Sequence, residues 1–221
     1  MTPTRSASRH VALVTPASRG AVGRWMGGGI AAGPVFLAAG VAQGVARDGF
    51  DFSRNALSQL ALGEAGWVQT VNFLLAGTLL VMGAVGLRRL LGATPGGTWG
   101  PALIGVFGAS FWAAAIFPAD AGAGFPTGAG DSTMSGHGAV HMAAGMIGYL
   151  ALCAALVVLA GSLAGRGHHG WAVASRLVPV AVLAGFAASA ASVLAFTAAA
   201  GLGLVWLTAV MTRLASDPVD H

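Results

Sequence analysis

With 221 residues, 56% of them hydrophobic and only 8% charged, this chain has too little polar surface to cover a water-soluble globule of its size. Soluble domains are about one quarter charged, and the mean hydropathy here is +0.77. A formal net charge of only +4 does not furnish the dense basic surface that nucleic acid requires, and the sequence pI near 11.0 reflects arginines suited to anionic lipid headgroups instead.

Residues 1–24, rich in Ser, Thr, Pro and Arg without helical periodicity, predict a mobile cytoplasmic tail. The first apolar run, Trp25 to Val45, ends in Ala-Gln-Gly-Val-Ala; it resembles the core of a signal peptide but is read as an uncleaved anchor. A helix crossing the hydrocarbon needs about 20 apolar residues. That length predicts spans over 25–45, 67–87, 99–117, 138–160, 171–192 and 197–214, forming one transmembrane domain over 25–214, with 215–221 as a second cytoplasmic tail. The apolar block from Trp171 to Leu214 is too long for one span, and a turn near 193–199 is expected to divide it. Trp25, Trp67, Trp99 and Trp171 each begin a span, where an indole prefers the headgroup level. Gly29 with Gly33, and Gly40 with Gly44, recur at the spacing of a helix contact face. Cys153, the single cysteine, lies in an apolar run and excludes an intramolecular disulfide or thiolate cluster.

Nine of the eleven basic residues fall at alternate gaps: Arg5, Arg9, Arg19 and Arg24, then Arg88 and Arg89, then Arg166 and Arg176, then Arg213. Arginine-rich short loops stay in the cytoplasm. The fold class is therefore all-α: a polytopic bundle of six spans with both termini cytoplasmic, in the plasma membrane. The absence of lysine and the abundance of alanine and glycine suggest a GC-rich bacterial genome.

The two outer segments carry most of the acids. In the first, Ser53 is expected to cap an amphipathic helix through Ala56, Leu57, Leu60 and Ala61 that Gly63 ends. The second, Pro118 to Gly136, has two prolines and five glycines and predicts a folded-back loop. At its rim, His137 and His141 stand at i and i+4 on one helix face, with Asp120 at matching depth. Two imidazoles and a carboxylate with an open fourth position would suit zinc, and a zinc-bound water could attack an ester or amide headgroup. The favoured reading is that His137 and His141 tie down the loop by hydrogen bonds, with the metal site as its alternative. Asn55, Ser58 and Asn72, with Asp51 nearby, read first as helix caps and interhelical hydrogen bonds, and are otherwise candidates for the second wall of an outward-facing polar pocket. His168 and His169 read as solvated loop residues. No span carries a charge at mid-depth, which argues against a charge-coupled transporter.

The run Phe52-Ser53-Arg54-Asn55-Ala56-Leu57-Ser58-Gln59-Leu60, then Trp67, Asn72-Phe73 and Gly77, then Asp120, Gly124-Phe125-Pro126, Gly128, His137-Gly138 and His141, resembles the DUF998 family of prokaryotic six-span membrane proteins. The resemblance covers most of the chain from residue 25 and implies the topology; it implies no activity. Relatives often carry an acid where this chain has Gln59. A second similarity, in residue types alone, is to ceramidase-like seven-span hydrolases. The reading is a binding or accessory bundle in the lipid bilayer with a lipid-like ligand and no cofactor. The alternatives are a metal hydrolase with zinc on Asp120, His137 and His141 and with Ser58 or Asp51 orienting water, and a small transporter of a neutral or lipidic solute.

Overall fold

Helix starts coincide with residues that can cap them. Thr94, Ser135 and Ser192 each accept a hydrogen bond from the backbone N–H three residues on, at 3.0, 3.0 and 3.1 Å, satisfying one of the orphan donors of a first turn. The computed structural model describes residues 16–130 and 133–217. It contains helices α1 (Pro16–Ala46), α2 (Gly66–Leu91), α3 (Pro95–Ile116), α4 (Gly136–Gly165), α5 (His169–Ala187) and α6 (Val193–Ser216), with a short 3₁₀ helix at Leu57–Ala61. All six long helices are long and apolar enough to cross a membrane.

Two boundaries differ from expectation. Residues 16–24 of the expected first tail are helical, so α1 begins at Pro16 rather than at Trp25. The rest of that tail, residues 218–221 of the second, and Asp131 lie outside the described residues. The turn dividing the last apolar block occupies residues 188–192 rather than 193–199, because Ser192 supplies the cap of α6.

Consecutive helices pack side by side and α6 returns to α1, closing a ring. Leu80, Leu87, Ile104, Phe107, Leu152, Leu156 and Met211 fill its centre, while large apolar side chains such as Leu177 (62% exposed) and Val180 (64%) point outward. That inversion of soluble-protein patterning is what a lipid solvent permits, and it leaves helix association to close packing. The first-span glycines do that work: Gly29 lies against Gly83 and Met211, Gly33 against Leu204 and Thr208, Gly40 against Leu57 and Gly44 against Phe52.

Inside hydrocarbon a carbonyl without a donor is costly, and a proline frees the carbonyl four residues before it. Pro34 frees that of Ile30, which accepts from Thr208 Oγ1 at 3.4 Å across the α1–α6 contact. Pro101 frees that of Gly97, and an Arg88 guanidinium N–H donates to it at 3.1 Å. The Arg89 guanidinium in turn lies 5.3 Å over the Trp25 ring. Arginines counted in the sequence as an orientation signal thus also complete helix packing.

At the same end, His168 departs from its expected solvated role. It sits at the start of α5 with 18% side-chain exposure and bonds Asp217 at 2.9 Å. Arg166 and Arg213 reach the same carboxylate at 3.6 and 3.5 Å, joining the α4–α5 turn to the end of α6. Trp206 packs inside as expected, stacked on Trp171 at 5.3 Å and donating to Ser175 Oγ at 3.0 Å.

Candidate functional site

At the end of the ring opposite Arg88, Arg166 and Arg213, the two long connections fold into a cap. Asp51 begins it: its carboxylate accepts from the Ser53 N–H (2.8 Å), the Ser53 hydroxyl (2.6 Å) and Arg54 Nε (3.0 Å). The Ser53 hydroxyl foremost, then its N–H, hold the Asp51 carboxyl below its ordinary value. Ser53 therefore serves a turn at Asp51 and caps no helix. The amphipathic helix expected here is a 3₁₀ helix of five residues, with Gln59 Oε1 accepting from the Ala56 N–H at 3.0 Å. Chain geometry explains the shortening: Leu60 must be fully buried while Leu57 lies over Gly40, and a tight turn of about three residues places both on the inner face.

The second connection is stitched to the first. Asn55, 1% exposed, donates to the Gly122 carbonyl at 3.3 Å and accepts from the Asp51 N–H at 2.9 Å. Gln59 donates to the Asp120 carbonyl at 3.3 Å. Phe125, 1% exposed, meets Phe50 edge-on at 5.2 Å, beneath the Arg47 guanidinium at 5.2 Å. Arg47 also donates to the carbonyls of Leu60 and Leu62 at 3.2 and 2.7 Å.

Asp120 accepts from the Ser135 hydroxyl at 2.6 Å and from its N–H at 2.9 Å. That places a carboxylate at the positive end of the α4 dipole, directly over Gly138, where any Cβ would collide with it. His141, 7% exposed, faces the Phe117 carbonyl through Nδ1 at 2.8 Å, and His137 meets the Phe117 ring edge-on at 5.5 Å. Among the described residues no group of three or more His, Cys, Asp or Glu is placed to hold a metal. The three zinc candidates share a neighbourhood, but each is turned to a loop or helix-end partner.

The Ser135 hydroxyl, followed by its N–H, holds Asp120 below its ordinary value of 3.8. A depressed carboxyl contributes stability that is complete above the ordinary value and is lost as pH falls through the lowered one. Protection of the amides of residues 118–130 and 133–138 against hydrogen exchange, corrected for intrinsic rate, is expected to drop with acid below about that value. Asp120→Asn should lack the transition; the same acid step in that variant would show that another group causes it.

Behind the cap lies a chamber of about 390 Å³, within the range of about 300–1,000 Å³ usual for small-molecule sites. An aromatic belt with a ring from every helix runs along it, all of its rings but Phe107 lining the chamber. Phe73 meets Phe36 (5.3 Å), Phe36 meets Phe111 (5.0 Å) and Phe111 meets Phe107 (5.1 Å). The belt continues from Phe107 to Tyr149 (5.2 Å), then to Phe186 (4.7 Å) and Phe196 (4.8 Å). Ala56, Leu57 and Ser58 form the roof. The exposed residues Met142, Met146, Ser189 and Ala190 line one side, so the mouth opens between α4 and the α5–α6 turn, toward the apolar flank of the bundle.

This chamber departs from the polar pocket expected from the sequence. Of Asn55, Ser58, Asn72, Asp120, His137 and His141, only Ser58 and His141 line it. Asn55 and Asp120 hold the cap, and His137 is exposed. Asn72 donates to the Phe36 carbonyl (3.1 Å) and to Gln69 Oε1 (3.1 Å), which also accepts from Gln43 (2.8 Å). That buried amide chain leaves Gln69 Nε2 and Asn72 Oδ1 without a partner among the described residues. Gln43, Gln69 and the belt are not among the site residues expected from the sequence. The amides were visible as lone polar residues in apolar runs; the rings were indistinguishable from ordinary core.

Residues 30–215 match a family described as "Protein of unknown function (DUF998)". No curated protein and no solved structure matches the chain.

Proposed function

We propose that this chain, which belongs to the DUF998 family, is an integral membrane protein acting as a non-enzymatic binding or accessory bundle of the bacterial plasma membrane that draws a lipid-like molecule into its aromatic chamber. The arginine-rich end is placed in the cytoplasm by the positive-inside bias, so the cap and chamber face outward. The observation that carries this reading is a chamber of about 390 Å³ walled by aromatic rings and open between α4 and the α5–α6 turn. An apolar site that opens on the hydrocarbon flank can be loaded from the bilayer without transfer through water.

The test compares wild type with Gly145→Phe, since Gly145 lines the chamber and a Cβ there meets nothing within 4 Å. Replacing a helical glycine also favours the helix itself. Native mass spectrometry and lipid extraction of detergent-purified wild type should reveal a bound lipid-like molecule that the variant lacks at unchanged Tm. A wild type that carries none and binds no added alkyl probe would end the proposal. In the same cells, before solubilisation, a membrane-impermeant thiol reagent should label Thr127→Cys and spare Gly92→Cys. Cys153 is buried and gives little background. Labelling of Gly92→Cys would reverse the orientation.

A further inference from the structure

The chamber's polar atoms are few, and they specify a head group. Resting on the binding reading above, we infer that the occupant is a neutral amphiphile whose head is a hydroxyl, a long-chain or isoprenoid-type alcohol rather than a fatty acid, a phospholipid or a plain hydrocarbon. A carbonyl oxygen can only accept a hydrogen bond, so the 2.8 Å contact with Phe117 puts the proton of a neutral His141 on Nδ1. Nε2 is then an acceptor, and it has no hydrogen-bond partner among the described residues. Ser58, on the roof, likewise has a hydroxyl with no hydrogen-bond partner among the described residues. His141 stands on the second turn of α4, roughly 7 Å inside the start of the helix. The wall therefore offers an acceptor and the roof a donor, both at the capped end. An alcohol answers both, donating its O–H to Nε2 and accepting from Ser58. A carboxylate has no proton to give, and an alkane answers neither.

Charge points the same way. Among the described residues no Arg, Lys, Asp or Glu lines the chamber. An anionic head would be desolvated without a counter-charge from any described arginine or lysine in the lining. A cationic head would find no carboxylate in the lining. The aromatic belt accepts a tail of any chemistry, so discrimination falls to the polar lining: His141 and Ser58 at the capped end, with Thr197 Oγ1, buried and without a partner among the described residues, as a further hydroxyl on the wall.

The experiment measures affinity of the full-length protein in detergent for 1-dodecanol, dodecanoate and dodecane by ligand-induced thermal shift. Two variants accompany it. His141→Asn keeps an amide N–H at the position of Nδ1 for Phe117 and deletes Nε2, and Ser58→Ala removes a hydroxyl that has no hydrogen-bond partner among the described residues. The expected result is tightest binding of dodecanol. Each variant should lose roughly three- to tenfold in dodecanol affinity, the worth of one neutral hydrogen bond, with dodecane unchanged. Dodecanoate bound as tightly as dodecanol, or a dodecanol preference intact in both variants, overturns the inference and leaves the binding reading standing. Failure of all three probes, with Gly145→Phe behaving as wild type, overturns both. If His141→Asn does not fold, Ser58→Ala decides alone.

Discussion

Gly83→Val is expected to lower the Tm of the detergent-solubilised protein by about 2–12 °C, from an overpacking cost of roughly 1–3 kcal/mol. At this point α1 and α2 touch backbone to backbone. A Cβ on Gly83 would lie 2.5 Å from Gly29 Cα and 2.8 Å from Met211 Cε, and one on Gly29 would lie 2.6 Å from Gly83 Cα. Methionine can swing aside; a helix backbone can retreat only by separating the helices. Separation would strip contacts from the crossing and carry Trp25 away from Arg89. In lipid there is little hydrophobic drive to pull the pair together again. Gly105→Val is the control, because a Cβ there meets nothing within 4 Å. Equal melting of wild type and Gly83→Val would show that the α1–α2 approach is not limiting.

Phe125→Ala should be the most damaging single change in the cap. Truncating a fully buried phenylalanine costs about 3–5 kcal/mol when the cavity cannot collapse. The ring is 1% exposed, packs edge-on against Phe50 and lies beneath the Arg47 guanidinium. Without it, the two connections would be held mainly by Asn55 and Gln59 on carbonyls of the second loop, at 3.3 to 3.4 Å. The loss is expected to be local: faster hydrogen exchange over 47–63 and 118–130, with the buried inner halves of α2 and α4 unchanged. Because Ser58 belongs to the roof, any preference for an alcohol should weaken as well. Exchange confined to global unfolding, with both segments as protected as in wild type, would contradict the view of the cap as a separate unit.

How far the candidate site was legible depends on what kind of information each residue carries. His137 and His141 are a face-sharing pair on α4, as their spacing required, and Asp120 does stand near that helix start. Spacing cannot say where the ring nitrogens point. The Phe117 carbonyl takes Nδ1 of His141, and Ser135 takes the Asp120 carboxylate, because the close of α3 and the opening of α4 leave polar backbone groups that must be answered. Asn72 makes the interhelical hydrogen bond favoured for it, to the Phe36 carbonyl, and does not reach the chamber. The cap helix failed for a related reason: apolar spacing is satisfied by an α-turn or a 3₁₀ turn alike, and the burial of Leu60 against neighbouring helices chose the tighter one. The start of α6 was legible in principle through Ser192, but among uniformly apolar neighbours a single serine is also an ordinary helix residue.

What the sequence determined by itself is the solvent and the number of crossings: hydropathy over about 20-residue windows is a local sum, and six helices follow from it. Tertiary structure alone decided the chamber. Its belt draws Phe36, Phe73, Phe107, Phe111, Tyr149, Phe186 and Phe196 from six helices spread over most of the chain, and such an enclosure exists only once α6 has closed on α1. Burial is a property of the assembled surface, so an aromatic ring destined for a ligand wall is spelled no differently from one destined for the core.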